Sequence, residues 1–195
     1  MGINFWCIDS KWHWDMLNNV REELNRFAKY VVSQSRANLT RGKKNSSNKL
    51  YNSLDYDINV SKNSFELSFL MEEYGVFQDK GVKGTKSNYL ENKNSPFSYK
   101  SKGGKRGLKG MPPPKAFDKW IVKKGLKGIR NKKGQFISRK SLQFMIARSV
   151  FEKGIKASMF FTKPFEKAFS NLSKNLVEAY KLDVEQLIKT TVNNR

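Results

Sequence analysis

The chain has 195 residues, with 38 Lys and Arg against 17 Asp and Glu, for a formal net charge of +21. Its single cysteine, Cys7, excludes an intrachain disulfide, and its single histidine, His13, excludes a zinc site built from several His or Cys ligands of one chain. Apolar residues make up 38%, with fourteen Phe, seven Tyr and four Trp; that is enough for one core, and thin enough that long polar loops are expected.

There is no run of eighteen apolar residues, so no membrane span is expected. The opening Met1-Gly2-Ile3-Asn4-Phe5-Trp6 lacks the basic and apolar regions of a secretory signal. Met1-Gly2 begins like a myristoylation site, but Trp6 stands where Ser or Thr belongs. A soluble protein made in a cytoplasm is the expectation. Phe5, Trp6, Trp12 and Trp14 crowd four large aromatics into ten residues. They suit a core and a subunit interface equally well. His13 lies between two of them with no GxSxG elbow elsewhere, so a surface or interface role outweighs nucleophilic catalysis.

Asp9 or Ser10 can cap a first helix, in which Leu17, Val20, Leu24, Phe27 and Val31 recur at spacings of three and four. Arg21, Glu22, Glu23, Asn25 and Arg26 fall between them and read as solvated, and the helix should end near Asn38. Leu54, Tyr56, Ile58 and Val60, then Phe65, Leu67, Phe69 and Met71, alternate with mostly polar residues on either side of Ser61-Lys62-Asn63-Ser64. That is an antiparallel hairpin with one buried face. Asp55 and Asp57 share its polar face; two-carboxylate or metal chemistry could use them, but a polar sheet face explains them more simply.

Tyr74 and Phe77 sit three apart, as on a helical turn, with Gly81 and Gly84 as stops. Residues 82–111 have no period, and a basic loop with little structure, ordered by a partner, is expected there. Pro112-Pro113-Pro114 then opens a short helix carrying Ala116, Phe117, Trp120 and Ile121 and closed by Gly125. Leu142, Met145, Ile146, Ser149 and Val150 give a helix stopped by Gly154. The apolar connector Ile155–Phe161 precedes a last helix opened by Pro164, with Phe165, Phe169, Leu172, Leu176, Tyr180, Val184 and Leu187 along one face. Trp120 and the Phe160-Phe161 pair are expected in the core. The fold class is α+β: a long N-terminal helix, a small antiparallel sheet, C-terminal helices and a long basic loop at about 82–111, all in one domain over 1–195.

Between Tyr99 and Lys140 there are fifteen Lys and Arg and one acid, Asp118, giving +14 of the +21. Lys100, Lys102, Lys105, Arg106 and Lys109 form a cluster with no acid among them. Three readings compete: a solvated loop, contact with nucleic-acid phosphates, and docking on an acidic protein face. Tyr89, Phe97 and Tyr99 are interleaved with lysines and could stack on bases. Gly103-Gly104-Lys105-Arg106-Gly107 lacks phosphate-loop spacing, and no helix-turn-helix, RRM or zinc-finger signature is present. No catalytic, metal or cofactor site is expected.

Leu50-Tyr51-Asn52-Ser53-Leu54 before the hairpin, Tyr74…Phe77…Gly81-Val82-Lys83-Gly84 after it, then Pro112-Pro113-Pro114…Trp120-Ile121 and Arg148–Lys156 running into Phe160-Phe161 form a recognisable series. Over about residues 15–190 it resembles the tail-completion and head–tail connector (neck) proteins of tailed bacteriophages. In those proteins a Tyr-x-x-(aromatic/Val)-x-x-x-Gly segment precedes a Gly-Ile-(Lys/Arg)-(Pro/Ala)-x-x-Phe segment. The basic insertion after Gly84 is a departure from the pattern. The resemblance implies a virion structural protein, not an enzyme, assembled in the host bacterial cytoplasm. It implies a homo-oligomeric ring, six- or twelve-fold, between portal or connector and tail proteins around the DNA channel. The alternative is a sequence-nonspecific nucleic-acid-binding protein acting on free DNA.

Overall fold

The computed structural model describes residues 17–44, 47–61, 64–104, 107–126, 129–130 and 132–193. In chain order they form α1 (Asn18–Arg41), α2 (Lys49–Ser53), β1 (Asp55–Ser61), β2 (Ser64–Leu70), α3 (Tyr74–Lys80), β3 (Val82–Lys83), α4 (Asp118–Lys123), α5 (Arg139–Lys153), β4 (Gly154–Ile155) and α6 (Thr162–Asn193). The class is α+β, with the long first helix, the hairpin and the C-terminal helices where the pattern puts them. The chain gathers into two compact units. The first takes the described residues up to Asn38, Tyr51–Met71 and those from Phe160 onward; the second takes Leu39–Leu50 and Glu72–Met159.

In the first unit, β1 and β2 pair antiparallel with Tyr56 opposite Phe69 and Ile58 opposite Leu67. The two-residue period therefore puts these residues on one face. Two helices pack there. Val20 and Leu24 of α1 and Ala179 of α6 close on Ile58, Phe65 and Leu67. Phe27 and Val31 of α1 and Leu172 of α6 close on Leu67, Phe69 and Phe165. Phe27, Phe69 and Phe165 meet edge to face at centroid distances of 5.7–6.1 Å, the arrangement the ring quadrupoles favour. Large rings thus supply core area that a modest apolar fraction would otherwise lack, at ~1.5–3 kcal/mol per buried large side chain.

The buried line on α6 is Pro164, Leu172, Ala179 and Asp183, with Leu176 half-buried. It differs from the apolar stripe of the sequence, because Phe169 and Tyr180 are more than half exposed. Asp183 is fully buried because it serves the start of α1: its Oδ1 accepts from the Asn19 amide (3.0 Å) and from Asn19 Nδ2 (2.7 Å), and its Oδ2 from the Val20 amide (3.1 Å). Those amides have no partner within the helix, and an anion there also meets the positive end of the helix dipole. The expected caps, Asp9 and Ser10, lie outside the described residues. Glu23, expected in solvent, is buried: Asn175 Nδ2 donates to it at 2.7 Å, and Arg26 pairs with its other oxygen.

In the second unit, Ser138 caps α5 by accepting from the Ser141 amide at 3.1 Å. The helix ends at Gly154, whose φ of +87° no β-carbon-bearing residue adopts easily. Its buried residues are Leu142, Ala147 and Phe151. Met145 and Ser149 face solvent, because the core meets α5 along the line that ends at Phe151. Pro114 opens a 3-10 turn that leads into α4. Ile121 of α4 is buried, while Trp120 is 38% exposed. The expectation of a core tryptophan therefore fails: α4 is six residues long and turns only a narrow face inward. Phe160, in the first unit, is buried as expected, and Phe161 is half-buried against Phe69.

Candidate nucleic-acid interface

Charge divides between the two units. The second, over 39–50 and 72–159, contains 26 Lys and Arg against 6 Asp and Glu, a net +20. The first has 12 against 11, a net +1. Almost the whole positive charge of the chain therefore belongs to one compact body.

That body is organised around the short ladder of β3 and β4, which pairs Val82 with Ile155 and Lys83 with Gly154. The strands approach so closely that a β-carbon on Gly154 would stand 2.0 Å from the Val82 carbonyl oxygen. Asn92, fully buried, stitches the ladder. Its Nδ2 donates to the carbonyls of Val82 (2.9 Å) and Ile155 (2.7 Å), and its Oδ1 accepts from the Ala157 amide at 2.8 Å. Ser95 Oγ donates to the Gly81 carbonyl at 2.7 Å. Lys83 bonds through its amide to Phe97 O and through its carbonyl to the Tyr99 amide, both at 2.9 Å. The segment expected to be a loop with little structure is thus partly built into the fold. Local periodicity could not reveal this, because the order comes from hydrogen bonds between residues ten or more positions apart.

Beyond Tyr99 the chain makes a tight basic loop. Lys102 N donates to Lys109 O (2.8 Å), Lys109 N to Gly103 O (2.9 Å), and Gly107 N to Gly104 O (3.0 Å). Ser101 Oγ closes it from inside on Gly107 O at 2.6 Å. Gly103, Gly104, Gly107 and Gly110 all have positive φ, so the reversal depends on glycine. Lys100, Lys102 and Lys109 are exposed on this loop, and among the ion pairs of the described residues none involves them. Lys105 and Arg106 lie outside the described residues, as do Phe5, Trp6, Trp12 and Trp14.

The acids of this unit are largely committed. Asp118 accepts from Arg139 and Gln143, and the Arg139 guanidinium holds its carboxyl below the usual range. Glu152 is held down by hydrogen bonds from Lys86 and then Arg148. Glu91 pairs with Lys156 at 2.6 Å, which lowers the acid and raises the ammonium. Another basic patch stands where Lys124 Nζ donates to the Lys43 carbonyl at 3.1 Å. Burial first, then the charges of Lys124 and Lys156, hold the Lys44 ammonium below the usual lysine range.

Beside the basic loop lies an open apolar cleft of about 630 Å³, lined by Tyr74, Phe77, Pro96, Phe97 and Tyr99 with Lys100 among the lining residues. Phe97 meets Phe77 edge to face at 4.6 Å, and Tyr99 meets Phe151 at 5.8 Å. Burial pushes the Tyr99 hydroxyl up, so it stays neutral at physiological pH. Of the three aromatics interleaved with lysines, Phe97 and Tyr99 line this cleft and Tyr89 does not. No group of three or more His, Cys, Asp or Glu that could hold a metal occurs among the described residues, and none of their helices is long and apolar enough to cross a membrane. Comparison with protein-family models, curated proteins and solved structures gave no match.

Proposed function

We infer that the protein is a structural component of a tailed-bacteriophage virion. It forms a homo-oligomeric ring at the head–tail neck, joining portal or connector to tail proteins around the DNA channel, with no catalytic role. The observation that carries this reading is the division of charge, +1 in one unit and +20 in the other. Identical subunits repel when brought together in a ring, and a nearly neutral helix–hairpin–helix unit can make those contacts with little electrostatic cost. A strongly basic unit offsets the phosphate charge of DNA without reading its sequence. Two segments of the resemblance, Gly81-Val82-Lys83-Gly84 and Gly154-Ile155-Lys156, also meet in the β3–β4 ladder. The chain that departs after Gly84 also returns beside β3, where Lys83 bonds to Phe97 and Tyr99, which suits an elaboration of that family's pattern.

The +20 unit taken alone favours the second reading, a sequence-nonspecific nucleic-acid-binding protein acting on free DNA. Native mass measurement with and without duplex DNA separates the two: closed six- or twelve-fold rings without DNA support the neck reading, and monomers that coat DNA support the second. Charge reversal of Lys100, Lys102 and Lys109 to Glu then locates the partner of the loop. If that partner is DNA, rings persist, and the slope of log K against log salt falls by about 0.9 for every phosphate no longer neutralised. If it is a neighbouring subunit, ring assembly fails instead. Normal rings with normal DNA retention leave these lysines without a role in either.

A further inference from the structure

A duplex keeps its bases stacked and paired, so the aromatic cleft beside the basic loop offers rings for which a duplex presents no free base face. Tyr74 and Phe77 are 43% and 42% exposed although they sit on a helix whose Gly75 and Asp79 are buried. They present ring surface to solvent next to Phe97, and Lys100 of the same lining leads into the loop of Lys102 and Lys109. Aromatic faces beside a track of exposed ammonium groups are the two elements of single-strand recognition: rings take the bases and lysines take the phosphates.

We propose that this cleft binds unpaired nucleotides of a single-stranded nucleic acid, with one or two bases against Tyr74, Phe77 and Phe97 and the adjoining phosphates toward Lys100, Lys102 and Lys109. Charge complementarity selects this occupant over an apolar peptide, since the unit holding the cleft has 26 basic residues against 6 acids. The proposal does not depend on the ring reading, because the cleft is lined by one chain.

The test uses the full chain and three labelled probes: a 20-nucleotide oligothymidylate, an abasic 20-mer with the same phosphates, and a 20-base-pair duplex. Oligothymidylate should bind about 5- to 150-fold more tightly than the abasic strand, the range that stacking one base contributes. Phe77→Leu keeps the site apolar and removes the ring; it should erase most of that advantage while duplex binding stays within twofold. Lys100→Gln should lower the single-strand salt slope by about 0.7. Equal affinity for the oligothymidylate and abasic strands overturns the proposal without any variant. So does unchanged oligothymidylate binding by a folded Phe77→Leu protein. Either result stands apart from the DNA-channel reading, which rests on the duplex.

Discussion

Replacing Asn92 with alanine removes three hydrogen bonds from a fully buried position: two donated to Val82 O and Ile155 O and one accepted from Ala157 N, at 2.7–2.9 Å. Each such bond contributes a net ~0.5–1.5 kcal/mol, and a buried partner left without its bond costs ~1–3 kcal/mol. The side chain is too deeply enclosed for water to replace it directly, so the expected destabilisation is about 3–5 kcal/mol. Against a domain stability of ~5–15 kcal/mol, that should open the second unit measurably. Hydrogen exchange read by mass spectrometry on the intact protein should show faster exchange across 82–99 and 154–159, with 55–70 unchanged. Asn92→Asp sharpens the experiment. It keeps the shape and the acceptor for Ala157, but turns a carboxylate oxygen toward two carbonyls, so it should be at least as damaging at neutral pH and partly recover as the carboxyl protonates. Asn88→Ala, four residues earlier and exposed, is the control and should change nothing. A destabilisation below about 0.5 kcal/mol for Asn92→Ala would refute the view that this side chain holds the ladder.

Asp183→Ala should lower stability by about 1–2 kcal/mol in urea melts, because the amides at the start of α1 lose their acceptor and the dipole its anion. Phe160→Ala should cost ~3–5 kcal/mol and Trp120→Ala distinctly less, since the first is buried and the second partly exposed. Gly81→Ala should disrupt the second unit, because the new β-carbon falls 2.4 Å from Asn92 Oδ1 in a backbone with φ of +72°; a mutant with wild-type exchange rates would contradict this. Acidification should weaken the second unit. Asp118, Glu152 and Glu91 have carboxyls lowered in the fold, so their stabilising share is present above their unfolded values, near ~4, and disappears as the pH falls through and below that range. Thermal melts from mildly to strongly acidic pH check the sign, and Arg139→Gln should flatten the Asp118 part.

Elements with their own period are legible directly in the chain. The β1–β2 pairing follows from alternation on both sides of a short polar turn, and the long helices follow from three-and-four spacing. Side chains buried for polar reasons are not legible in this way. Asp183 and Glu23 look like solvent-facing charges because nothing nearby in sequence announces the amides and the asparagine they serve, 164 and 152 positions away. Asn92 is one asparagine among several in a polar stretch, and its role appears only once β3 and β4 are paired. Of the candidate site, lysine density and interleaved aromatics mark the region, while Tyr74 and Phe77 show only helix spacing. Their place in the cleft depends on the return of residues 96–100 past α3, which no local pattern encodes.

The carboxylate that completes the start of α1 has a consequence for synthesis. Asp183 is 164 residues downstream of Asn19, which at ~5–20 residues per second places about 10–30 s of translation between them. Throughout that interval Val20, Leu24 and Phe27 have neither Ala179 nor Leu172 to cover them, and by its last part the hairpin is complete and the whole basic unit has been made. The nearly neutral unit therefore closes last, after the segment that interrupts it in sequence has left the ribosome. A nascent chain stopped before Phe160 would carry an uncovered hairpin face and a sticky first helix on the same polypeptide as a +20 polycation, a species prone to aggregate on ribosomal RNA as readily as on itself.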